Sequence, residues 1–142
     1  MAKLGPFTNA AFKFNAVDLS NRVESVTLDL GKDDIDLTAM GDGGHTHVGG
    51  LENSKLNVNF WQAFAAASEV DSTLLPVFQA GTAVAFKLTA NGTTVSSTNP
   101  VYSGNVVVTD YQPIAGKVGD GLQAPVTMVV SGTITQGTSG AW

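Results

Sequence analysis

Apolar and polar residues alternate one by one along most of this chain, and a period of two admits little besides a half-buried β-strand. Val26, Leu28 and Leu30 alternate with Thr27 and Asp29; Ile35, Leu37 and Ala39 alternate with Asp36 and Thr38. Leu56, Val58 and Phe60 alternate with Lys55, Asn57 and Asn59, and Val84, Phe86 and Leu88 with Ala85 and Lys87. Each run predicts a strand with one face toward a core and one toward water. Val101–Tyr111 and Pro125–Thr135 are longer and rich in Val and Thr, with Gly104 and Gly132 as expected bulge points. Phe12–Val17 predicts a further short strand.

Turn chemistry divides these runs. Asp18-Leu19-Ser20-Asn21 reads as a turn or cap, and Gly31-Lys32-Asp33-Asp34 as a link between strands. Asn91-Gly92 signals a tight hairpin, because a mirror-image turn needs positive φ at both centres, with Thr98-Asn99-Pro100 ending the partner strand. One helix is expected, within Asp71–Phe78 and closed by Gly81, capped at Ser72 or Thr73 with Pro76 in the first turn. Trp61–Ser68 reads as a helical turn or an irregular loop. Met40–Asn53 (MGDGGHTHVGGLEN) is the longest stretch without a pattern. Loops of that length in a compact domain are usually functional or mobile.

A chain of 142 residues fits one domain, spanning 1–142, of the all-β class with one short helix. It has no cysteine, which removes a disulfide framework, a Cys-rich zinc site and a thiol nucleophile together, and fits a reducing compartment. The first residues, MAKLGPFTNAAFKF, lack an apolar run long enough for a signal peptide or a membrane span, so neither secretion nor membrane insertion is expected.

Charge is scarce and uneven. Charged residues make up 13% of the chain, where a soluble domain has about 25%. From Ser72 onward the only charges are Lys87, Asp110, Lys117 and Asp120, amid Thr, Ser, Asn, Gln, Gly and Val. Depletion of this kind marks the cores of protein interfaces, although a stable neutral β domain can also manage with hydroxyls and amides. The net charge of −5 argues against tight nucleic-acid binding, which uses Lys and Arg to displace phosphate counterions. Seven of the twelve acids lie between Asp18 and Asp42. Such a wall repels DNA, which serves a passage that must not stick; the plainer reading is a solvated face.

No catalytic site emerges. His45 and His47, at i and i+2, share a face and with Asp42 could approach a metal set, but the sequence places no further strong ligand beside them, so no metal and no cofactor is expected. Asp33, Asp34 and Asp36 lack both the burial that raises a general acid and the spacing of a calcium loop. Gly41-Asp42-Gly43-Gly44 lacks the lysine and following helix of a phosphate loop, and the serines lack a nucleophile-elbow pattern. Phe12, Phe14, Phe60, Trp61, Phe64, Phe78 and Phe86 would suit a sugar platform, but at strand alternation they read as core. Trp142, after Gly-Thr-Ser-Gly-Ala, reads as a loose end or as an anchor for a neighbour's pocket.

Two stretches resemble a known family. FNAVDLSNRVESVTLDLGKDDIDLTAMGDGGHTHVGGLENSKLNVNFWQAF (residues 14–64) and TNPVYSGNVVVTDYQPIAGKVGD (residues 98–120), with the Val/Thr strand that follows, are similar in order and spacing to the major tail-tube proteins of long, non-contractile-tailed phages. The resemblance covers residues 12–136 and rests on the order of the blocks, not on one motif. It implies an antiparallel β-sandwich or barrel with a flanking helix. Six copies would form a ring, and rings would stack into a tube around a tape-measure protein, between initiator and terminator proteins. The tube later conducts DNA without specific binding. The setting implied is the virion, after assembly in the host cytoplasm.

In that family the long early loop reaches a neighbouring subunit, which here corresponds to residues 40–53. Met40, Asp42, His45, His47, Val48, Leu51 and Trp142 are then the inter-subunit contact candidates. Terminal arms would correspond to residues 1–11 and 136–142, and the chain is too short for the decoration domain some relatives add. Asp29, Asp33, Asp34, Asp36 and Asp110 are the lumen-facing candidates. Two alternatives stand beside this reading: a secreted or displayed carbohydrate-binding β-sandwich, and a tube subunit of a contractile injection machine.

Overall fold

A computed structural model describes residues 8–140 and 142. Nine strands form in chain order: β1 (Ala11–Phe14), β2 (Val17–Asp18), β3 (Val23–Asp29), β4 (Lys32–Asp36), β5 (His47–Glu52), β6 (Lys55–Trp61), β7 (Val84–Thr89), β8 (Val101–Tyr111) and β9 (Gln123–Gly137). One α-helix, α1 (Val70–Ala80), lies between β6 and β7. Seven strands make one antiparallel sheet in the order β2-β1-β7-β8-β9-β6-β3, while β4 and β5 pair only with each other.

The large sheet curls into a half-barrel, as its aromatic core requires. Phe12 on β1 and Phe60 on β6 are four strand positions apart, roughly 19 Å across a flat sheet. Their ring centroids are 5.8 Å apart. The inward faces of β6, β9 and β8 (Leu56, Val58, Phe60; Ala124, Val126, Met128; Val106, Val108) thus close on Phe12, Phe14 and Phe86 from the other flank. Two irregularities bend the long β8–β9 pair. Ser103 pairs with Thr135 and Asn105 with Ser131, so Gly104 faces an excess of β9 residues that includes Gly132 at φ 93°. A Cβ on Gly104 would come within 3.0 Å of the Ile134 side chain. The second lies between Val108 and Asp110, where Thr109 and Asp110 both turn outward and Val108 and Tyr111 stay inside. The glycine bulge matches expectation; the second carries no glycine and was not signalled.

Helix α1 covers the remaining mouth of the half-barrel with Val70, Thr73, Leu74 and Val77. It begins earlier than expected, with Glu69 and not Ser72 or Thr73 at the cap. The Glu69 N–H donates to Ser72 Oγ (3.1 Å), and Arg22 grips the Glu69 carboxylate with two nitrogens at 3.0 and 3.1 Å. The Arg22 hydrogen bonds hold that carboxyl below its ordinary range. Pro76 therefore falls in the body of the helix, not its first turn. It is exposed, on the same side as Ser72, whose carbonyl would otherwise have taken its missing N–H. Gly81 ends the helix at φ 68°, as anticipated. Asp71 on α1 accepts the Tyr111 hydroxyl (2.9 Å), and Gln62 donates to the same oxygen (3.0 Å), which ties helix to sheet.

Three local expectations fail. Phe12–Val17 is not one strand: Asn15 and Ala16, both at positive φ (49° and 64°), turn β1 back into β2. Asn-Ala carries no glycine, so the turn left no signal. Asn91-Gly92 does not make a tight hairpin either. The partner of β7 is β8, reached through residues 90–100, and the buried Asn99 organises that loop by donating to Asn91 O (2.7 Å) and Thr94 O (2.9 Å). Finally, β4 occupies Lys32–Asp36, whereas a link was expected over Gly31–Asp34 and a strand from Ile35 to Ala39, and Ile35 and Leu37 face solvent instead of a core.

Two measurements probe this construction. A left-handed alanine costs about 1–2 kcal/mol, partly offset by the extra freedom glycine has when unfolded. Ala16→Gly is therefore expected to raise unfolding stability by about 0.5–1 kcal/mol in urea titrations, and a loss would show that the turn is unstrained. Burial pushes the Tyr111 hydroxyl up from 10.0 to about 12. The folded state thus holds its proton in a range where the unfolded chain has released it, and the contribution is fully present below about pH 10 and fades toward pH 12. The stability difference between wild type and Tyr111→Phe should narrow across that window; a constant difference would mean that the tyrosine titrates normally in the fold.

Candidate self-association surface

Strand edges are where a β-protein meets its neighbours, because each leaves a row of unpaired backbone groups. The two margins of the large sheet differ in length, two residues at β2 and seven at β3. At β1 the chain covers itself: Leu19 N donates to Phe12 O (3.0 Å) and Phe12 N donates to Ser20 Oγ (2.9 Å), with Asp18 accepting from the Ser20 N–H (3.0 Å). At the other margin β3 pairs only with β6, and among the described residues its outer side has no partner. Beside this open edge lies a groove of about 290 Å³ lined by Val26, Leu28, Leu30, Leu88, Ala90 and Tyr102. Leu30 is 54% exposed there.

The β4–β5 hairpin projects from the same end of β3. Every residue from Lys32 to Gly49 is exposed. The hairpin is pinched at its root, where Asn53 N donates to Gly31 O (2.7 Å) and the Glu52 carboxylate accepts from Ile134 N (2.7 Å). Its two faces are chemically distinct. Ile35 pairs with Val48, and the Ile35 side chain lies against Gly50, giving an apolar face. Asp34 and Asp36 stand on the opposite face, with His47 across from Asp36. The stretch expected to be unpatterned, residues 40–53, therefore holds a strand, His47–Glu52, and only its first part is loop.

The predicted contact residues fall as follows. Met40 is fully exposed at the tip, and Leu51, 80% exposed, lies near the root. Val48 sits on the apolar face. Asp42 turns inward on its own loop, accepting from Ala39 N (2.8 Å), and does not join the histidines. His45 and His47 lie instead with Asp36. Trp142 does not extend outward. Lys13 Nζ lies 4.4 Å over its ring and donates to its carbonyl oxygen (3.3 Å). At the terminal arms, Ala11 belongs to β1 and is buried, Gln136 and Gly137 belong to β9, and residues 1–7 lie outside the described part.

Among the acids proposed for a channel, Asp29 and Asp110 sit on the outward face of the sheet. Registers place Thr27, Asn57, Thr127 and Asp110 in one row across four strands, with Asp29 beside Lys55 in the next. Asp33, Asp34 and Asp36 belong to the hairpin, away from that face. Sequence reasoning missed Ile35, Leu37, Ile114 and Val118, all exposed, the last two on the 112–122 loop. A signal for the first two existed: Lys32, Asp33, Asp34 and Asp36 leave β4 with a single apolar residue. Of the aromatics, Phe12, Phe14, Phe60 and Phe86 are core, whereas Trp61, Phe64 and Phe78 are partly exposed, Trp61 lying against Gly121.

No family model and no curated protein matches the sequence. Solved structures match in fold. A chain of the virion of a native gene transfer agent particle agrees with TM-score 0.75 at 12% identity, over 94% of this chain and 98% of that one. A chain of the tail of the empty gene transfer agent particle, determined with C6 symmetry, gives 0.70 at 14% identity over 94% and 98%. The SPP1 tail tube gives 0.70 at 10% identity over 92% of this chain and 76% of that one. These matches place the curled antiparallel sheet and its helix in the tail-tube fold.

Proposed function

We propose that this chain is the repeating subunit of a long phage-type tail tube, assembling into six-membered rings that stack into a conduit for DNA. The observation that carries this is the open β3 edge beside an exposed, half-apolar hairpin. A two-stranded hairpin is at best marginally stable alone and needs a surface to pack on. One sheet margin is the two-residue β2 and the other the seven-residue β3, so the contact is between unlike surfaces. Contacts of that kind close into rings, and repeated along an axis they give an open filament. The C6 symmetry of the gene transfer agent tail supports six copies.

Asp29 and Asp110, on the polar outward face, then look into the lumen, where negative charge keeps phosphates from adhering. Asp33, Asp34 and Asp36 lie at the joints between subunits, together with Met40, His45, His47, Val48 and Leu51. The protein works by assembly in the virion, needs no catalytic centre, and meets a tape-measure protein inside the tube and initiator and terminator proteins at its ends.

Two variants separate folding from assembly. Replacing Asp33–Leu51 by two glycines keeps the root pair of Gly31 and Asn53. The shortened chain is expected to melt close to the parent yet remain monomeric, while the parent forms rings or hollow tubes in negative-stain micrographs. Tubes from the shortened chain would remove the hairpin from the joint, and a parent that stays monomeric at every concentration would sink the tube. Leu30→Lys places a charge in the groove beside the free edge. Sedimentation velocity should show self-association weakened at least tenfold with circular dichroism unchanged; undiminished association would show that the groove stays uncovered in the assembly.

A further inference from the structure

The hairpin brings together a ligand set that its sequence order hides. Asp36 ends β4, His47 opens β5 directly across from it, and His45 precedes His47 by two residues on the returning loop. One ligand atom from each of the three lies within 4.8 Å of the others. His45 Nδ1 is 3.5 Å from Asp36 Oδ2, and the two imidazole centroids are 6.0 Å apart. From this geometry we infer that Asp36, His45 and His47 form a binding site for a divalent transition-metal ion of the zinc type.

The surrounding contacts prepare two of the three ligands. Asp34 Oδ1 is 2.8 Å from His47 Nδ1. With that nitrogen as donor to the carboxylate, the lone pair is left on Nε2, the carboxylate–histidine arrangement that orients metal-bound imidazoles. Asp36 uses Oδ1 for the Thr38 hydroxyl and the Thr38 N–H (2.9 Å), so Oδ2 remains turned toward His45.

Two imidazoles and one carboxylate suit zinc, nickel or copper, whereas calcium and magnesium require a shell of oxygens. Bonds of about 2.0–2.2 Å put tetrahedral ligands roughly 3.4 Å apart. All three side chains are exposed, so small rotations close the remaining gap without moving the core. A fourth position stays open for water. Because Asp36 precedes the tip loop and His45 and His47 follow its return, the ion bridges both ends of residues 37–44. The site is complete within one chain and does not depend on assembly.

The test uses zinc chloride alone, titrated calorimetrically into the untagged, full-length protein in chelator-free buffer. One ion per chain is expected. His45→Ala or His47→Ala should weaken binding at least tenfold, and Asp34→Asn about tenfold, the usual size for such an orienting carboxylate. Asp33→Asn removes the same charge from the hairpin's other face and should leave affinity unchanged. Hydrogen exchange in residues 37–46 should slow on adding zinc. No binding of zinc, binding that survives His45→Ala/His47→Ala, an equal loss from Asp33→Asn and Asp34→Asn, or a preference for calcium would each overturn the site. All these residues are exposed, and circular dichroism confirms that each variant folds.

Discussion

A sheet with one apolar face must cover that face, and among the described residues a single eleven-residue helix is at hand to do it. The covering is completed by curvature. Phe12, Phe14, Phe60 and Phe86 draw the two flanks together, the glycine bulge at Gly104 and Gly132 relieves the long β8–β9 pair, and α1 closes the mouth. Full closure would need β3 to reach β2 at the far margin. It does not, and the apolar groove opens beside the free edge, lined from β3 on one side and from β7 and β8 on the other. The half-built barrel and the exposed apolar groove are therefore one feature.

The charge distribution follows from the same geometry. The outward face of β3, β6, β9 and β8 is furnished with Thr27, Asn57, Asn59 and Thr127, hydroxyls and amides that tolerate both water and a facing surface. Acids concentrate instead on the hairpin and at isolated positions such as Asp29 and Asp110. Glu24 is held by the Asn59 amide (2.8 Å) on that same face. Low charge on the inner strands of the sheet carries little risk of misplaced pairing, since each has a neighbour on both sides; the charged hairpin stands beside the β3 margin.

Much of this was legible in the chain. Period two located the inward residues of β6 and β7, since each of those strands has a core on one side and alternation records that directly, while β8 and β9 showed as long runs of Val and Thr. The helix terminus at Gly81 was visible because a left-handed cap leaves a glycine. Its start was not, because Glu69 is not among the residue types favoured at a cap, and the Arg22 that grips its carboxylate comes from 47 residues away. The Asn15-Ala16 turn and the bulge at Thr109 were silent for the same kind of reason: context, not residue type, enforces them. Ile35 and Leu37 misled, since alternation cannot say whether the apolar face meets a core of its own chain or waits for another. The histidine pair was noticed, but its third partner was assigned to Asp42, nearest in sequence; strand pairing brings Asp36 across instead.

The pinch at Gly31 and Asn53 separates two construction problems within one polypeptide. Beyond that backbone hydrogen bond, no residue before Gly50 is buried even in part, so the projecting limb can lengthen, shorten or change its chemistry without asking the aromatic interior to repack. A scaffold so divided can keep its diameter and curvature fixed by the phenylalanines while its reach and its choice of contact drift independently. Structural agreement at a sequence identity of 10–14% is what such a division of labour permits.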